Sequence, residues 1–304
     1  MKTIKNKGKR SVRNVVSLLL LLLLGCMAGG SVGYYHFVSK TVYEESVSHL
    51  GEIYHQTNQA LNTLVDQNMT YLHMWSTYLR TVPDEGKVRT YLGKAKEEAG
   101  FSSFCFLTSD GSYMTLDGTQ GYLGLQGDPG PEIEAGNDFI MNAALPGRAE
   151  MLVFASPQAQ GTYQGFEYDA IAIVYDNADI EKVLDTDAFS GQAASYVMHS
   201  NGVVVIRHSV HAPETVYNMF AILRTYTDLS PRALDALTED IQNGRNGALR
   251  VTMDGKPYYM VYQATGIQDW MLLGLVPTDV VNASMERMQY STVRSCWWAD
   301  CSCW

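Results

Sequence analysis

Residues 15–38 form a run of 24 residues without a formal charge, in which His36 is titratable and Leu18–Leu24 are seven consecutive leucines. A helix of that length reaches about 36 Å, enough to cross a hydrocarbon core of roughly 30 Å with some tilt. Lys2, Lys5, Lys7, Lys9, Arg10 and Arg13 precede it, and no acidic residue occurs before Glu44. A basic flank of this kind stays on the cytoplasmic side. The expectation is a cytoplasmic basic tail (1–14), one membrane helix (15–38) and a folded part held outside the cytoplasm. Tyr34 and Tyr35 fall at the outer end, where amphipathic rings favour the interface.

A second reading uses the same run. Leu23-Leu24-Gly25-Cys26 resembles the processing site of bacterial lipoproteins, in which a lipidated Cys26 would become the N-terminus. Apolar character continues past Cys26 to Val38, which favours the uncut helix. Both readings place the fold outside the cytoplasmic membrane. The chain has 22 basic and 32 acidic residues, and seven of the basic ones lie before residue 44. The remaining 15 face all 32 acids, so a nucleic-acid surface, which needs clustered Lys and Arg, is not expected.

Beyond the run, apolar residues recur at 43, 47, 50, 54, 57 (a Thr), 61 and 64, then at 72, 75 and 79. Alternating steps of four and three define one stripe on a helix. No Gly or Pro falls between Gly51 and Pro83, so one long stalk helix is expected over 39–82. The stripe buries itself on its own domain and offers a seam for a homodimer. The break near Gln67 and Asn68 marks a change of partner. A short helix over Gly86–Ala99 follows.

Two stretches downstream look alike. Phe104–Leu116 is an apolar strand, a turn at Asp110-Gly111 and another strand; Tyr196–Ile206 repeats this around Asn201-Gly202. Such pairs tolerate the positive φ of tight hairpins. Each copy continues through a less regular stretch into a strand pair and a helix. These strands are Ala149–Pro157 and Phe166–Asp176 in the first copy. In the second they are Gly247–Met253, Lys256–Thr265 and Trp270–Val276, with a turn at Asp254-Gly255. The fold class is α+β: a long helix, then two tandem antiparallel-sheet modules at 83–185 and 186–290.

The long helix, Phe104–Gly111, Gly165–Asp176, Tyr196–Val205 and Asp254–Thr278 together resemble the double Cache family of extracytoplasmic sensors, whose modules are PAS-like. The resemblance spans about residues 40–290. It implies a small-molecule ligand in the membrane-distal module, no cofactor and no catalysis. It also implies a signal passed to a cytoplasmic kinase, cyclase or chemotaxis output. Candidate ligand contacts in that module are Tyr122, Arg148, Phe154, Tyr163, Tyr168 and Asp169. Arg148 suits a carboxylate and Asp169 an amine. Each also has a plain structural reading: Arg148 as a solvated loop charge, the aromatics as core, Asp169 as a surface carboxylate. The amino-acid-binding subgroup carries a Tyr, an Arg and a Trp-Tyr pair in this module. All five Trp here lie outside 83–185, so the resemblance does not extend to that ligand class. The Gly-rich loop Gly118–Asn137 reads as a lid or as irregular chain.

Motifs for enzymes are absent: no phosphate-binding Gly loop, no His-Glu-x-x-His and no Gly-x-Ser-x-Gly. His199, His208, His211 and Glu214 crowd one stretch, but read as separate surface or core groups rather than a metal site. The tail 291–304 carries Cys296, Cys301 and Cys303 with Trp297, Trp298 and Trp304. It has no apolar run to form the exit membrane helix of a receptor. It reads as a truncated or frameshifted end, with a Cys-rich metal site as the alternative.

Overall fold

The computed structural model describes residues 5–82, 84–144, 150–185, 189, 191–208, 218–281 and 283. The chain divides into two units, residues 1–50 and residues 51–304. The described part of the first unit is helical throughout, as the start of helix α1 (Lys5–Thr81). Lys40 and Glu44 form an exposed ion pair one turn apart at 3.7 Å, and the Thr41 hydroxyl donates to the Phe37 carbonyl. Among the described residues no helix is long and apolar enough to cross a membrane. Most side chains of the uncharged run 15–38, including Cys26, lie outside the described set.

The second unit holds the rest of α1, helix α2 (Glu85–Ala99) and two antiparallel sheets. Asp84 caps α2 by accepting the Lys87 N–H, and Gly100 closes it in the left-handed conformation at φ 75°. The first sheet is built from β1 (Ser103–Leu107), β2 (Ser112–Thr115), β3 (Gln120–Tyr122), β4 (Phe139–Ala143), β5 (Met151–Ser156) and β8 (Ala170–Asp176). Its order is β3-β2-β1-β8-β5-β4, and a small hairpin of β6 (Gly161–Tyr163) and β7 (Phe166–Tyr168) stands apart. Helices α3 (Gly130–Ala135) and α4 (Asn177–Leu184) lie between and after these strands. The second sheet contains β9 (Ala194–His199), β10 (Val204–His208), β11 (Gly247–Met253), β12 (Lys256–Ala264) and β13 (Trp270–Pro277), ordered β10-β9-β13-β12-β11. Helices α5 (Met219–Tyr226) and α6 (Pro231–Gln242) join β10 to β11. Without edge strand β3, both sheets run second, first, last, fourth, third in chain order. The sequence showed the hairpin that opens each copy, but strand β4, which answers to β11, was not among the strands read in the first copy.

The hairpins differ in detail. At Asp254-Gly255 both residues take positive φ (50° and 76°), the mirror-type turn that matches strand twist. At Asp110-Gly111 and Asn201-Gly202 only the glycine does (85° and 87°). There the Asp110 and Asn201 side chains accept the N–H of Ser112 and Val203 instead. The helix expected after Pro277 starts at Thr278; its continuation and the Cys-rich tail fall outside the described residues.

Each sheet is covered on both faces. On the first, Cys105, Leu107, Ala143, Met151, Val153, Ala155, Ala170, Ala172 and Val174 turn to one side and meet Leu123 and Ile133. The Gly-rich loop is therefore folded over this face through β3, α3 and Leu125, which bridges to Ala143. The opposite face meets α1. On the second sheet, Tyr196, Met198, Met260, Tyr262, Met271, Leu273 and Leu275 pack on Met219 and Leu223 of α5 and on Leu234, Leu237 and Ile241 of α6.

Helix α1 links the two sheets. In this unit its buried stripe is Tyr54, Thr57, Leu61, Val65, Asn68, Leu72 and Trp75. Asn58 and Asn62 donate to the Ala264 and Thr265 carbonyls at 3.2 and 2.9 Å. Tyr54 shares a hydrogen bond of 3.1 Å with Ser195 of β9. From Asn68 onward the partner is the first sheet: Tyr175 of β8 donates to the Asn68 side chain at 3.0 Å. The stripe thus changes partner where the sequence broke. The buried residues of this stripe pack within the chain, and Met74 on another face of α1 is exposed.

Complete burial pushes the Tyr54 phenol from its usual 10.0 up to about 12, against the lowering effect of the Ser195 hydrogen bond. A raised phenol contributes its stability fully below pH 10 and loses it as pH rises through 12. Folding should therefore weaken by roughly 2–3 kcal/mol over that window on account of Tyr54 alone. Urea unfolding of wild type and Tyr54→Phe at pH 9 and pH 11.5 checks this. The variant should lose visibly less stability, and equal losses would rule Tyr54 out as a source.

Candidate functional site

The expected ligand residues separate into two groups. Phe154, Tyr163 and Tyr168 lie on the α1 side of the first sheet in one aromatic cluster. Phe106 stacks on Tyr163 at 4.4 Å and meets Tyr168 at 4.8 Å, and Phe154 meets Tyr175 edge-on at 5.8 Å. All three are buried, and the Tyr163 hydroxyl donates to the Leu116 carbonyl. Burial raises the phenols of Tyr163 and Tyr168 above their usual value. Here the three side chains act as core.

Tyr122 and Asp169 flank a single turn, Thr108–Gly111, at the end of the same sheet. The Asp169 carboxylate accepts the Ser109 N–H at 2.9 Å. The exposed Tyr122 ring lies so close over Gly111 that a Cβ there would sit 3.1 Å from it. Arg148 lies outside the described residues.

A concavity opens elsewhere. Between the two sheets lies a cleft of about 950 Å³, walled by 126–142 of the first module and by 199–205 and 268–269 of the second. Asn142 of β4 crosses it and donates to the Val205 carbonyl of β10 at 3.1 Å. At one rim His199 Nδ1 meets Asp269 at 2.6 Å, with the Trp270 indole edge-on to the imidazole at 6.3 Å. Asp269 also accepts the Ser200 N–H and hydroxyl. Burial works to raise its pKa, but these hydrogen bonds outweigh burial and hold the carboxyl below the usual range. At the other rim Asp138 meets His73 of α1 at 2.5 Å. Gln268 projects from a tight turn with φ 45°, a left-handed conformation that costs a non-glycine residue about 1 kcal/mol.

The crowded histidines resolve into separate partners: His199 with Asp269, and His208 with Asp185 at 3.4 Å. His211 and Glu214 fall outside the described residues. Among the described residues no three metal-ligating side chains come together. The cleft was not legible in sequence, because its walls come from segments more than 50 residues apart that meet only through module packing.

No protein-family model matches this chain, and no curated protein matches it. Solved structures do. The ligand-binding domain of the Pseudomonas aeruginosa amino acid chemoreceptor PctB with L-Arg aligns at a TM-score of 0.56 and 15% identity, covering 78% of this chain and 97% of that one. The extracellular domain of the putative histidine kinase mmHK1S-Z3 aligns at 0.51 and 13%, covering 79% and 97%. The sensory domain of the Campylobacter jejuni chemoreceptor Tlp3 with isoleucine aligns at 0.52 and 9%, covering 80% and 97%. At these identities the likeness is one of fold. It extends over nearly all of each neighbour.

Proposed function

We propose that this chain, whose fold is that of double Cache sensory domains, is the extracytoplasmic ligand-sensing part of a bacterial transmembrane signalling receptor and is not an enzyme. The observation that carries the reading is α1. One buried stripe docks on the second sheet through Tyr54, Asn58 and Asn62, and on the first through Asn68 and Trp75. A ligand that reshapes either module acts on the same helix, and the uncharged run 15–38 would hold that helix in the membrane. The sensory-domain fold of the neighbours supports this role, and two of them hold an amino acid, L-Arg in PctB and isoleucine in Tlp3.

In this reading the first ligand is a small molecule held in the module 83–185, with Asp169 and Tyr122 at the Thr108–Gly111 turn as its polar contacts. The test is a thermal-shift screen of the full chain in detergent, against amino acids, small carboxylates, amines and nucleosides. A true ligand at 100 times its Kd should stabilise by about 2.7 kcal/mol, or roughly 5–10 °C. Asp169→Asn should reduce that shift. A screen in which no class moves Tm, or a shift untouched by Asp169→Asn and Tyr122→Ala, would overturn the site.

A further inference from the structure

We propose that the inter-module cleft is a second binding site, for a neutral hydroxyl-rich ligand of the saccharide class. The cleft is large, and its occupant would touch both modules at once. Its chemistry narrows the ligand. Among the described residues that line it none is Lys or Arg, so they offer an anion no counter-charge.

The three carboxylates are engaged within the protein. Asp269 is held by His199 and Ser200. Asp138 has one oxygen on His73, and its other oxygen is buried without a hydrogen-bond partner. Glu132 accepts from the Asn137 amide at 3.1 Å. Two of the three, Asp138 and Asp269, already face an imidazole of the protein.

Among the lining amides, Gln126 and Gln268 are exposed and make no side-chain bond within the protein, whereas Asn137, Asn142 and Asn201 are already bonded to Glu132, Val205 and Val203; His199 shares the lining with them. Asp269 occupies His199 Nδ1, which leaves Nε2 as the atom available to an occupant. Amides both donate and accept, as hydroxyls do. Val203, Val204 and Met141 supply apolar surface for the C–H faces of a sugar ring. The left-handed backbone at Gln268 bears on the same point. Glycine is the ordinary residue at such a φ, and here an exposed amide is presented instead.

The test uses the full chain with D-glucose, maltose and N-acetylglucosamine as probes, read by saturation-transfer NMR and titration. Gln126→Ala with Gln268→Gly removes two exposed amides that carry no structural bond, and the glycine relaxes the turn, so the fold is retained. At least one sugar should bind, and the double variant should weaken it tenfold or more, while Asp169→Asn leaves it unchanged. Three outcomes overturn the proposal: no binding by any of the sugars, sugar binding that survives the double variant, or loss of sugar binding in Asp169→Asn, which would assign the sugar to the first module. Putrescine is titrated as the charged control, and its binding, if abolished by the double variant, is a fourth outcome that overturns the proposal.

Discussion

Gly274→Ala should destabilise the folded part by about 3–5 kcal/mol and lower Tm by roughly 10 °C. Gly274 lies mid-strand in β13, where glycine ordinarily weakens a sheet. Here the missing side chain makes room for another. A Cβ at Gly274 would fall 1.9 Å from Cζ of Tyr54 and 2.3 Å from its hydroxyl. The ring cannot shift in place, since Tyr54 is fully buried and its hydroxyl is tied to Ser195. The chain must therefore evict the ring from the sheet, which costs as much as deleting a large buried side chain. A double-mutant cycle isolates the cause. In a Tyr54→Ala background the cost of Gly274→Ala should fall below 1 kcal/mol, measured by urea unfolding. An equal cost in both backgrounds would show that the strand, not the helix contact, is what the methyl disturbs.

The contact behind that prediction was half visible in the sequence. Tyr54 stood on the heptad stripe, so its burial could be read. Its seat could not, because 220 residues separate it from Gly274 and the seat exists only once β13 pairs with β9. The same distinction runs through the fold. Strands β11 to β13 were legible because their apolar and aromatic runs and the Asp254-Gly255 turn define them. Helix α6 was missed although Ser230 caps it and Pro231 opens it; its apolar positions fell in a stretch read as irregular. Asn68 looked like a break in the stripe and is instead part of it. A polar residue can hold a stripe position when one partner, here Tyr175, satisfies it.

The site residues were harder for a physical reason. Strand β5 is buried at every position, because helix α1 lies over one face of the sheet and the folded Gly-rich loop over the other. A strand covered on both sides loses the alternation that tells inward from outward. Phe154 was therefore identifiable as buried, but its face was not. It turns toward α1 with Tyr163 and Tyr168, away from the face that α3 covers. The residues that line the inter-module cleft have the opposite problem: polar side chains at strand ends carry no periodic signal at all.

Trp75→Ala should cost about 3–5 kcal/mol, and the loss should be confined to the first module. Trp75 is the largest side chain buried on α1, with Tyr71 stacked on it at 5.5 Å, Phe101 at 5.6 Å and Phe104 edge-on at 5.7 Å. These rings tie α1 to β1 and to the end of α2. The contacts of α1 with the second sheet, through Tyr54, Asn58 and Asn62, begin more than three helical turns away and share no partner with Trp75. Removing the indole leaves a cavity among three aromatic rings that the rigid sheet cannot close. Amide exchange should then quicken in β1 and β8 while β12 and β13 keep their protection. If protection falls equally in both sheets, α1 binds the modules into one cooperative unit. Ligand binding in either would then be felt as a change in the whole helix rather than as a shift at one end of it.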